Sequence, residues 1–192
     1  LFMGLITFGI FSEVITSAPS LVLENVNYVK KVVFPLEVLT IVRFLSALIN
    51  AIFSLTVLLT GFLLLNHFIH WTTLILPLVW LPMMLFTLGC GYFLASLGVF
   101  VRDLGAAVGV LTTMLFFLTP IFYPIRAVPE PFRLFCRLNP IAIFVEDSRR
   151  VVLWGLLPDW PSFFFGLILS LLVFILGFLW FIKTKKAFAD VV

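Results

Sequence analysis

Residues 44–101 read FLSALINAIFSLTVLLTGFLLLNHFIHWTTLILPLVWLPMMLFTLGCGYFLASLGVFV, without a single Lys, Arg, Asp or Glu. As one α-helix this stretch would measure about 87 Å, at roughly 1.5 Å per residue, against a bilayer hydrocarbon core of about 30 Å. It therefore predicts two membrane crossings joined by a turn. The polar and aromatic residues 66–71 mark that turn. The two crossings are predicted over about 44–65 and 74–100.

The composition of the whole chain indicates that a lipid bilayer is its solvent. The 192 residues are 63% hydrophobic and only 11% charged, and so few charges could not cover a soluble domain of this size. The net charge of +3 is too small to indicate a nucleic-acid partner, and Cys90 and Cys136 indicate no disulfide framework. The chain shows no signal-peptide pattern. Because it begins inside an apolar run at Leu1, we expect an N-terminal part to be missing.

Three further apolar runs predict three more crossings. They cover about 1–23, 104–124 and 162–182. The predicted fold class is an all-α integral membrane protein, because helices satisfy their own backbone hydrogen bonds in lipid. We expect one transmembrane domain over residues 1–192, a polytopic helical bundle of about five crossings with two short re-entrant helices on its outer side.

Basic residues in short loops predict the orientation of this bundle. Alternation places seven of them on one side, which is therefore predicted to be cytoplasmic: Lys30, Lys31, Arg43, Arg102, Lys183, Lys185 and Lys186. The loop 24–43 is then cytoplasmic, and the turn with His67 and His70, which lacks Lys and Arg, lies outside. The block 126–160 also falls outside although it is rich in arginine, against the usual distribution of charge.

This outer block is predicted to form two short helices that enter the outer leaflet and return. A lipid-facing crossing over 134–154 is disfavoured, because each charge at mid-membrane costs several kcal/mol on insertion scales. Asn139-Pro140 marks the break between the two helices, and acid–base pairs at helical spacing neutralise the segment. The candidate residues of this outer gate are Arg126, Glu130, Arg133, Arg137, Asn139, Pro140, Glu146, Arg149 and Arg150.

The cytoplasmic loop contains a short amphipathic pattern. Three valines at helical spacing lie opposite Lys30 and Lys31, and the predicted helix ends near Pro35. Two interpretations fit this pattern: a basic loop resting on anionic lipid, or a lever that docks into a cytoplasmic partner. The spacing alone favours the lipid contact.

Aromatic residues and two prolines mark the point where the predicted crossing 104–124 leaves the membrane. The aromatic candidates are Phe116, Phe117, Phe122 and Tyr123. They fit an interfacial aromatic belt and a surface on which sugar rings slide by stacking equally well.

Other residues of the crossings indicate packing. Arg102 and Asp103 are predicted to form an ion pair at a cytoplasmic helix end. Glu13 lies inside the first crossing, where its carboxylate faces either the protein interior or a polar cavity. Small residues at helical spacing predict close helix contacts within the subunit or across a dimer. They are Gly91, Ala95, Gly98, Gly105 and Gly109.

No catalytic set is apparent in the sequence. His67 and His70 have no carboxylate or Cys nearby that would complete a metal site. The chain has no Gly-rich phosphate loop ending in Lys-Ser/Thr, so we expect ATP and Mg²⁺ to bind to a partner rather than to this chain. We therefore predict no catalytic residue, no metal and no cofactor of its own.

Four stretches, 23–37, 98–105, 119–130 and 139–149, together resemble the membrane subunits of type-two ABC exporters. The resemblance is to the branch that exports lipid-linked polysaccharides such as O-antigen, capsule and teichoic acid. It implies a permease of the bacterial cytoplasmic (inner) membrane, powered by a separate ATPase subunit and carrying a polyprenyl-diphosphate-linked glycan. These subunits usually have six crossings after an amphipathic interface helix, so the resemblance implies that the interface helix and the first crossing are absent from this chain.

The resemblance also implies roles for particular segments. Two copies would face each other around a channel, and 126–160 would form paired gate helices at its outer exit. Arginines such as Arg133, Arg137 or Arg149 would help to steer the diphosphate. The coupling helix would fit a cleft on the ATPase. Its candidate residues are Asn27, Tyr28, Lys30, Lys31, Val32, Phe34 and Pro35.

Three alternatives remain open on the sequence. An exporter of drugs or small lipids would share this architecture. A membrane-embedded enzyme acting on polyprenyl substrates would need a convergent acid–base or metal set, and a structural or assembly subunit would transport nothing. Short outer loops and the aromatic exit favour a glycan as cargo.

Overall fold

The computed structural model describes residues 1–25, 35–101, 103–122, 130 and 138–188. These residues form α-helices and short 3₁₀ turns and contain no β-strand, which confirms the all-α prediction. The helices are α1 (Phe2–Leu21), α2 (Glu37–Asn66), α3 (Leu76–Phe100), α4 (Leu104–Leu118), α5 (Pro140–Val152) and α6 (Trp160–Thr184). The 3₁₀ turns are Leu23–Asn25, Trp71–Ile75 and Lys185–Ala187.

Four helical segments of the described residues are long and apolar enough to span a bilayer: Phe2–Leu21, Glu37–Asn66, Trp71–Phe100 and Trp160–Ala187. The fifth predicted crossing, 104–124, forms the shorter helix α4 of 15 residues, about 22 Å long. This helix ends at Leu118 because Thr119 adopts an extended backbone and Pro120 cannot continue a helix. Its passage through the membrane remains a prediction.

The start of α2 differs from the predicted boundary. The helix begins at Glu37 rather than at residue 44, so the cytoplasmic loop predicted over 24–43 is shorter and Arg43 lies inside the helix. Arg43 Nε donates to Ser17 Oγ of α1 at 2.8 Å. The predicted boundary was wrong because a charged residue can stay helical when its long side chain carries the charge to a polar partner.

Helix α1 lies at the centre of the bundle and packs against α2, α3, α4 and α5. Burial covers 61% of its spanning window, against 6% for the peripheral α2. The most extensive pairing joins α3 and α6, whose backbones touch: a Cβ on Gly177 would lie 2.0 Å from Gly89 O. Small residues thus allow close helix contact in lipid.

The predicted small-residue stripes have two different outcomes. Gly98 of α3 lies against the backbone of Pro19 in α1, so this part of the stripe packs within the subunit. On α4, a Cβ on Gly105 or Gly109 would meet no atom within 4 Å. The small-residue face of α4 is therefore open in the part of the chain that the structure describes.

The ends of the helices fall into two groups, as alternating crossings require. At one end, the ammonium of Lys185 after α6 pairs with the carboxylate of Glu37 at the start of α2. At the other end, a Cβ on Gly155 would lie 2.4 Å from His70 Nδ1, so the loop before α6 rests on the turn before α3. The turn 66–71 and the segment after α5 therefore share one face.

Candidate functional site

The predicted outer segment 126–160 contains α5, which starts at the predicted Asn139-Pro140 break. Asn139 caps this helix, because its Oδ1 accepts a hydrogen bond from Ile141 N at 3.0 Å. Pro140 occupies the first turn, where its missing N–H has no partner to lose. The first of the two predicted re-entrant helices lies outside the described residues.

Asn139 also attaches α5 to the end of α4. Its Nδ2 donates to Thr119 Oγ1 at 3.1 Å. Thr119 and Ile121 are fully buried, so the segment that leaves α4 lies beneath α5. One amide side chain thus caps a helix and holds the neighbouring exit segment.

Arg149 makes the second attachment to this exit segment. Its side chain is buried; Nη1 donates to Pro120 O at 2.8 Å, and Nη2 donates to Ile121 O. Glu146 lies one helical turn earlier, 3.6 Å from Nη1. Burial lowers the pKa of the Arg149 guanidinium, and the Glu146 carboxylate opposes that shift.

Gly4 of α1 provides the space for this guanidinium. A Cβ on Gly4 would lie 2.8 Å from Arg149 Nη2 and 3.1 Å from Ile121 O. The role suggested for Arg149, a cation that meets a diphosphate, does not fit this geometry, because its guanidinium is buried between backbone carbonyls. Arg149 instead joins α5, α1 and the end of α4.

The neighbouring charges of α5 hold the loop that leads to α6. Arg150 Nε donates to Leu157 O at 3.0 Å, and Asp147 Oδ1 accepts from Asp159 N at 3.1 Å. Burial raises the pKa of Asp147 to about 6, although the hydrogen bond from Asp159 N and the charge of Arg150 act in the opposite direction. Asp147 is therefore a buried carboxylate whose hydrogen bond holds the loop before α6.

Two more hydrogen bonds join α5 to the α3 side of the bundle. Trp80 Nε1 donates to Ser148 Oγ at 3.2 Å, and Thr72 Oγ1 donates to Val151 O at 2.5 Å. Both bonds are buried. The helix α5 is thus held by α1, α3, the end of α4 and the loop before α6, as a fixed part of the bundle end that is predicted to lie outside.

The aromatic candidates surround Phe116. Its ring centroid lies 5.4 Å from that of Phe117, 5.1 Å from that of Phe122 and 5.3 Å from that of Phe8 in α1. Phe117 is 66% exposed and Phe122 is 47% exposed, so both present rings outward. Tyr123 lies outside the described residues. The cluster is compatible with both interpretations of these aromatics.

A polar stripe on α1 was not predicted from the sequence. It runs at helical spacing along one side of the helix, and none of its members is buried: Gly9, Ser12, Glu13, Thr16, Ser17 and Ser20. A spanning helix gains nothing by presenting such a stripe to lipid, so the stripe is expected to face protein or water. The polar residues three and four positions apart within 9–20 were the signal that could have revealed it.

Two grooves lie beside this stripe. The first, between α1 and α2, has a volume of about 420 Å³ and is lined by Glu13, Asn50 and Ser54 among other residues. The second, between α1 and α4, has a volume of about 200 Å³, and its lining includes Thr16 and Thr113. A carboxylate, a carboxamide and a hydroxyl group therefore line the groove towards α2, and hydroxyl groups line the groove towards α4.

The environment of Glu13 answers a question that the sequence left open. Asn50 Nδ2 donates to the two carboxylate oxygens of Glu13 at 3.2 and 3.3 Å. No Lys or Arg pairs with Glu13 among the residues that the structure describes. Glu13 thus lies beside a polar partner in an open, largely apolar groove rather than in a closed interior.

Several candidates can be placed only in part. Pro35 is exposed and Leu36 beside it is buried among helix ends, Asp103 is exposed at the start of α4, and Glu130 is exposed. The following candidates lie outside the described residues: Asn27, Tyr28, Lys30, Lys31, Val32, Phe34, Arg102, Arg126, Arg133 and Arg137. Among the described residues, no group of three His, Cys, Asp or Glu side chains is arranged to hold a metal ion.

Four membrane-length apolar helical segments, one of which is the central helix α1 with its polar stripe, define a multi-pass membrane protein. The chain belongs to the ABC-2 type transporter family, whose model matches residues 1–153.

The relatives that align along most of the chain include two from different bacteria. The O-antigen export system permease protein RfbA of Myxococcus xanthus is 29% identical over 161 residues, which cover 83% of this chain and 62% of the relative. The protein of the same name from Klebsiella pneumoniae is 26% identical over 196 residues, covering all of this chain and 74% of the relative. The chain thus spans about three fifths of the Myxococcus protein.

Proposed function

We propose that this chain is the permease subunit of an ABC transporter that exports a lipid-linked polysaccharide across the bacterial cytoplasmic membrane. Membership of the ABC-2 type transporter family supports the transport role. The single observation that carries the cargo class is that relatives from two bacteria, aligned along most of this chain, are both named O-antigen export permeases. The bundle alone would suit an exporter of drugs or small lipids as well.

A separate ATPase subunit would drive this export, with ATP and Mg²⁺ bound on that partner. The segment 27–35 would dock into it as a coupling helix. The two residues directly after this segment support its role in coupling. Leu36 is buried in a cluster with Tyr92 and Phe181, and Glu37 pairs with Lys185. A displacement of the coupling segment would therefore act on α3 and α6 together.

The glycan would pass along the polar stripe of α1 with a second copy of the chain opposite. The open face of α4 around Gly105 and Gly109 would allow a close approach of that copy. The outward rings of Phe117 and Phe122 would contact sugar faces near the exit. Such contacts are apolar and non-directional, so they would permit sliding.

The outer segment would act as the gate at the end of this passage. Helix α5 supplies its fixed part, because Asn139 and Arg149 hold the exit segment against it. Arginines that precede α5, Arg133 and Arg137, would meet the diphosphate, since Arg binds phosphate through paired donors.

Deletion of the gene in its host, followed by complementation with the full-length subunit, tests the proposal. We expect surface glycan to be lost while lipid-linked glycan accumulates inside the cell, and the wild-type gene to reverse both effects. Unchanged surface glycan together with a new drug sensitivity would instead indicate that the protein exports drugs. Failure to co-purify with an ATP-hydrolysing partner would favour an enzyme or an assembly subunit.

A further inference from the structure

The groove between α1 and α2 combines polar and apolar groups in one place. Its volume of about 420 Å³ falls within the range of about 300–1,000 Å³ typical of small-ligand sites. The polar groups are the carboxylate of Glu13, the carboxamide of Asn50 and the hydroxyl of Ser54, and the rest of the lining is largely apolar and includes Phe2 and Val57. The groove thus offers hydrogen-bonding groups beside an apolar wall.

Glu13 lies deep in the predicted membrane. It is far from both ends of α1, which runs from Phe2 to Leu21; at 1.5 Å per residue it is about 17 Å from the first and about 12 Å from the second. A carboxylate at this depth is costly unless water or a polar group accompanies it, and intramembrane carboxylates mark substrate and ion pathways. Its position indicates a functional rather than a packing role.

The hydrogen bonds around Glu13 leave it able to accept more. Asn50 Nδ2 is shared between the two carboxylate oxygens, at 3.2 and 3.3 Å, whereas a carboxylate has about four acceptor positions. Ser54 Oγ donates to Asn50 O at 3.0 Å, which leaves the hydroxyl oxygen as an acceptor. The groove is therefore rich in acceptors for O–H donors.

We propose that Glu13 and Asn50 form a subsite that binds the hydroxyl groups of a sugar residue as the glycan passes. This subsite rests on the proposed function of polysaccharide export. Two adjacent ring hydroxyls donate to Glu13, while Asn50 orients the carboxylate towards the groove and its Oδ1 accepts from a third hydroxyl. The apolar wall contacts the C–H face of the ring.

A sugar hydroxyl suits this groove better than a cation. Asn50 already supplies Glu13 with a neutral donor, and the other polar groups of the groove are a carboxamide and a hydroxyl, which match alcohols rather than an ammonium charge. The apolar wall also matches the C–H face of a pyranose. A few hydrogen bonds at one point along the passage would select for sugar without trapping the chain.

The full-length transporter with its ATPase, reconstituted in vesicles of phosphatidylethanolamine and phosphatidylglycerol, allows a direct test. Glu13→Gln keeps the size of the side chain and removes the charge, and Asn50→Leu removes the carboxamide. We expect each variant to lower glycan translocation about tenfold, the effect of losing a charged hydrogen bond, and to abolish stimulation of ATP hydrolysis by lipid-linked glycan. The thermal unfolding midpoint of each variant should stay at the wild-type value.

Two matched variants control for changes of charge and helix surface. Glu24→Gln removes an exposed carboxylate outside α1, and Thr56→Val alters an exposed position of α2 that does not line the groove. Both should transport glycan like the wild type.

Each other outcome has a definite meaning. Wild-type translocation and stimulation in Glu13→Gln and Asn50→Leu, with an active wild-type protein, would overturn the subsite alone. A lower unfolding midpoint with normal export per folded transporter would show that Glu13 and Asn50 serve helix packing and not sugar binding. If the effect of the substitutions depends on the phosphatidylethanolamine content instead of on the glycan, the groove binds a lipid and not a sugar. If the wild-type transporter moves no glycan, the proposed function fails and the subsite fails with it.

Discussion

At the scale of single residues, Arg149 is the most constrained charge of α5. Its guanidinium is bonded to the carbonyls of Pro120 and Ile121 and lies beside Glu146. Removing one partner of a buried ionic cluster is costly, because the remaining carboxylate and carbonyls stay buried without a donor. Arg149 is therefore a positioning residue for the exit segment.

Replacement of Arg149 should destabilise the protein. We expect Arg149→Gln to lower the free energy of unfolding by about 2–4 kcal/mol, measured as a drop in the thermal unfolding midpoint of the full-length subunit in detergent. Arg150→Gln is the matched control, since Arg150 is only partly buried and donates to one carbonyl, that of Leu157. Equal unfolding midpoints for Arg149→Gln and the wild type would contradict the role of Arg149 in positioning the exit segment.

Asp147 predicts a pH dependence of stability. Its pKa is raised from 3.8 to about 6 by burial, so the folded protein binds this proton more readily than the unfolded chain. Asp147 therefore contributes most favourably below about pH 4, and stability falls as the pH rises from about 4 to about 6. Glu146, Arg150 and Asp159 are the charges that act on it.

The substitution Asp147→Asn should remove this dependence. The Asn side chain keeps an acceptor for Asp159 N and has no charge to bury, so we expect a gain of about 1 kcal/mol or more at pH 7.5 and little change near pH 4. This expectation is checked by measuring unfolding midpoints at both pH values for Asp147→Asn and for the wild type. The exposed Glu24→Gln serves as the control. If the stability of Asp147→Asn and of the wild type changes with pH in parallel, Asp147 is not the origin of the pH dependence.

At the scale of elements, Glu37 and Lys185 join the start of α2 to the end of α6, on the side that is predicted to be cytoplasmic. Their side chains are 17% and 34% exposed, and partly exposed ion pairs contribute only about 0–1 kcal/mol to stability. Tyr92 of α3 donates to Glu37 O at 3.3 Å. Glu37 therefore connects three helices beside the proposed coupling segment, whereas its ion pair with Lys185 adds little to stability.

Exchange of these two charges should separate coupling from stability. We expect Glu37→Lys to lower the amount of glycan exported per ATP hydrolysed about fivefold while the unfolding midpoint changes little. The double variant Glu37→Lys with Lys185→Glu should recover most of that ratio. Lys186→Glu, at an exposed neighbouring position, is the control; a double variant no better than Glu37→Lys would exclude a role for the pair.

At the scale of the whole molecule, the sidedness of the bundle decides every functional assignment. Trp154 is 42% exposed and lies at the end of the bundle that is predicted to be outside, whereas Lys186 follows α6 at the opposite end. With Cys90 and Cys136 replaced by Ser, an impermeant thiol reagent should label Trp154→Cys in intact cells. Lys186→Cys should be labelled only after permeabilisation. Labelling of both positions in intact cells would refute the proposed orientation.

Much of the helical architecture was predictable because its causes are local. The uncharged stretch 44–101 required two crossings with a turn at 66–71, and the structure has helices ending at Asn66 and resuming at Trp71. The start of α2 was missed because the partner of Arg43 is Ser17, in another helix. Such a partner is invisible to a count of charges along the chain.

The sequence by itself determined the fold class and the course of the main helices, because in lipid each helix must satisfy its own backbone and its apolar length is a local property. Only the tertiary structure decided which polar side chains meet. Glu13 finds Asn50 across 37 residues, and Arg149 finds Pro120 O across 29. These contacts depend on how the helices are rotated and packed against one another, and no spacing along a single helix encodes that.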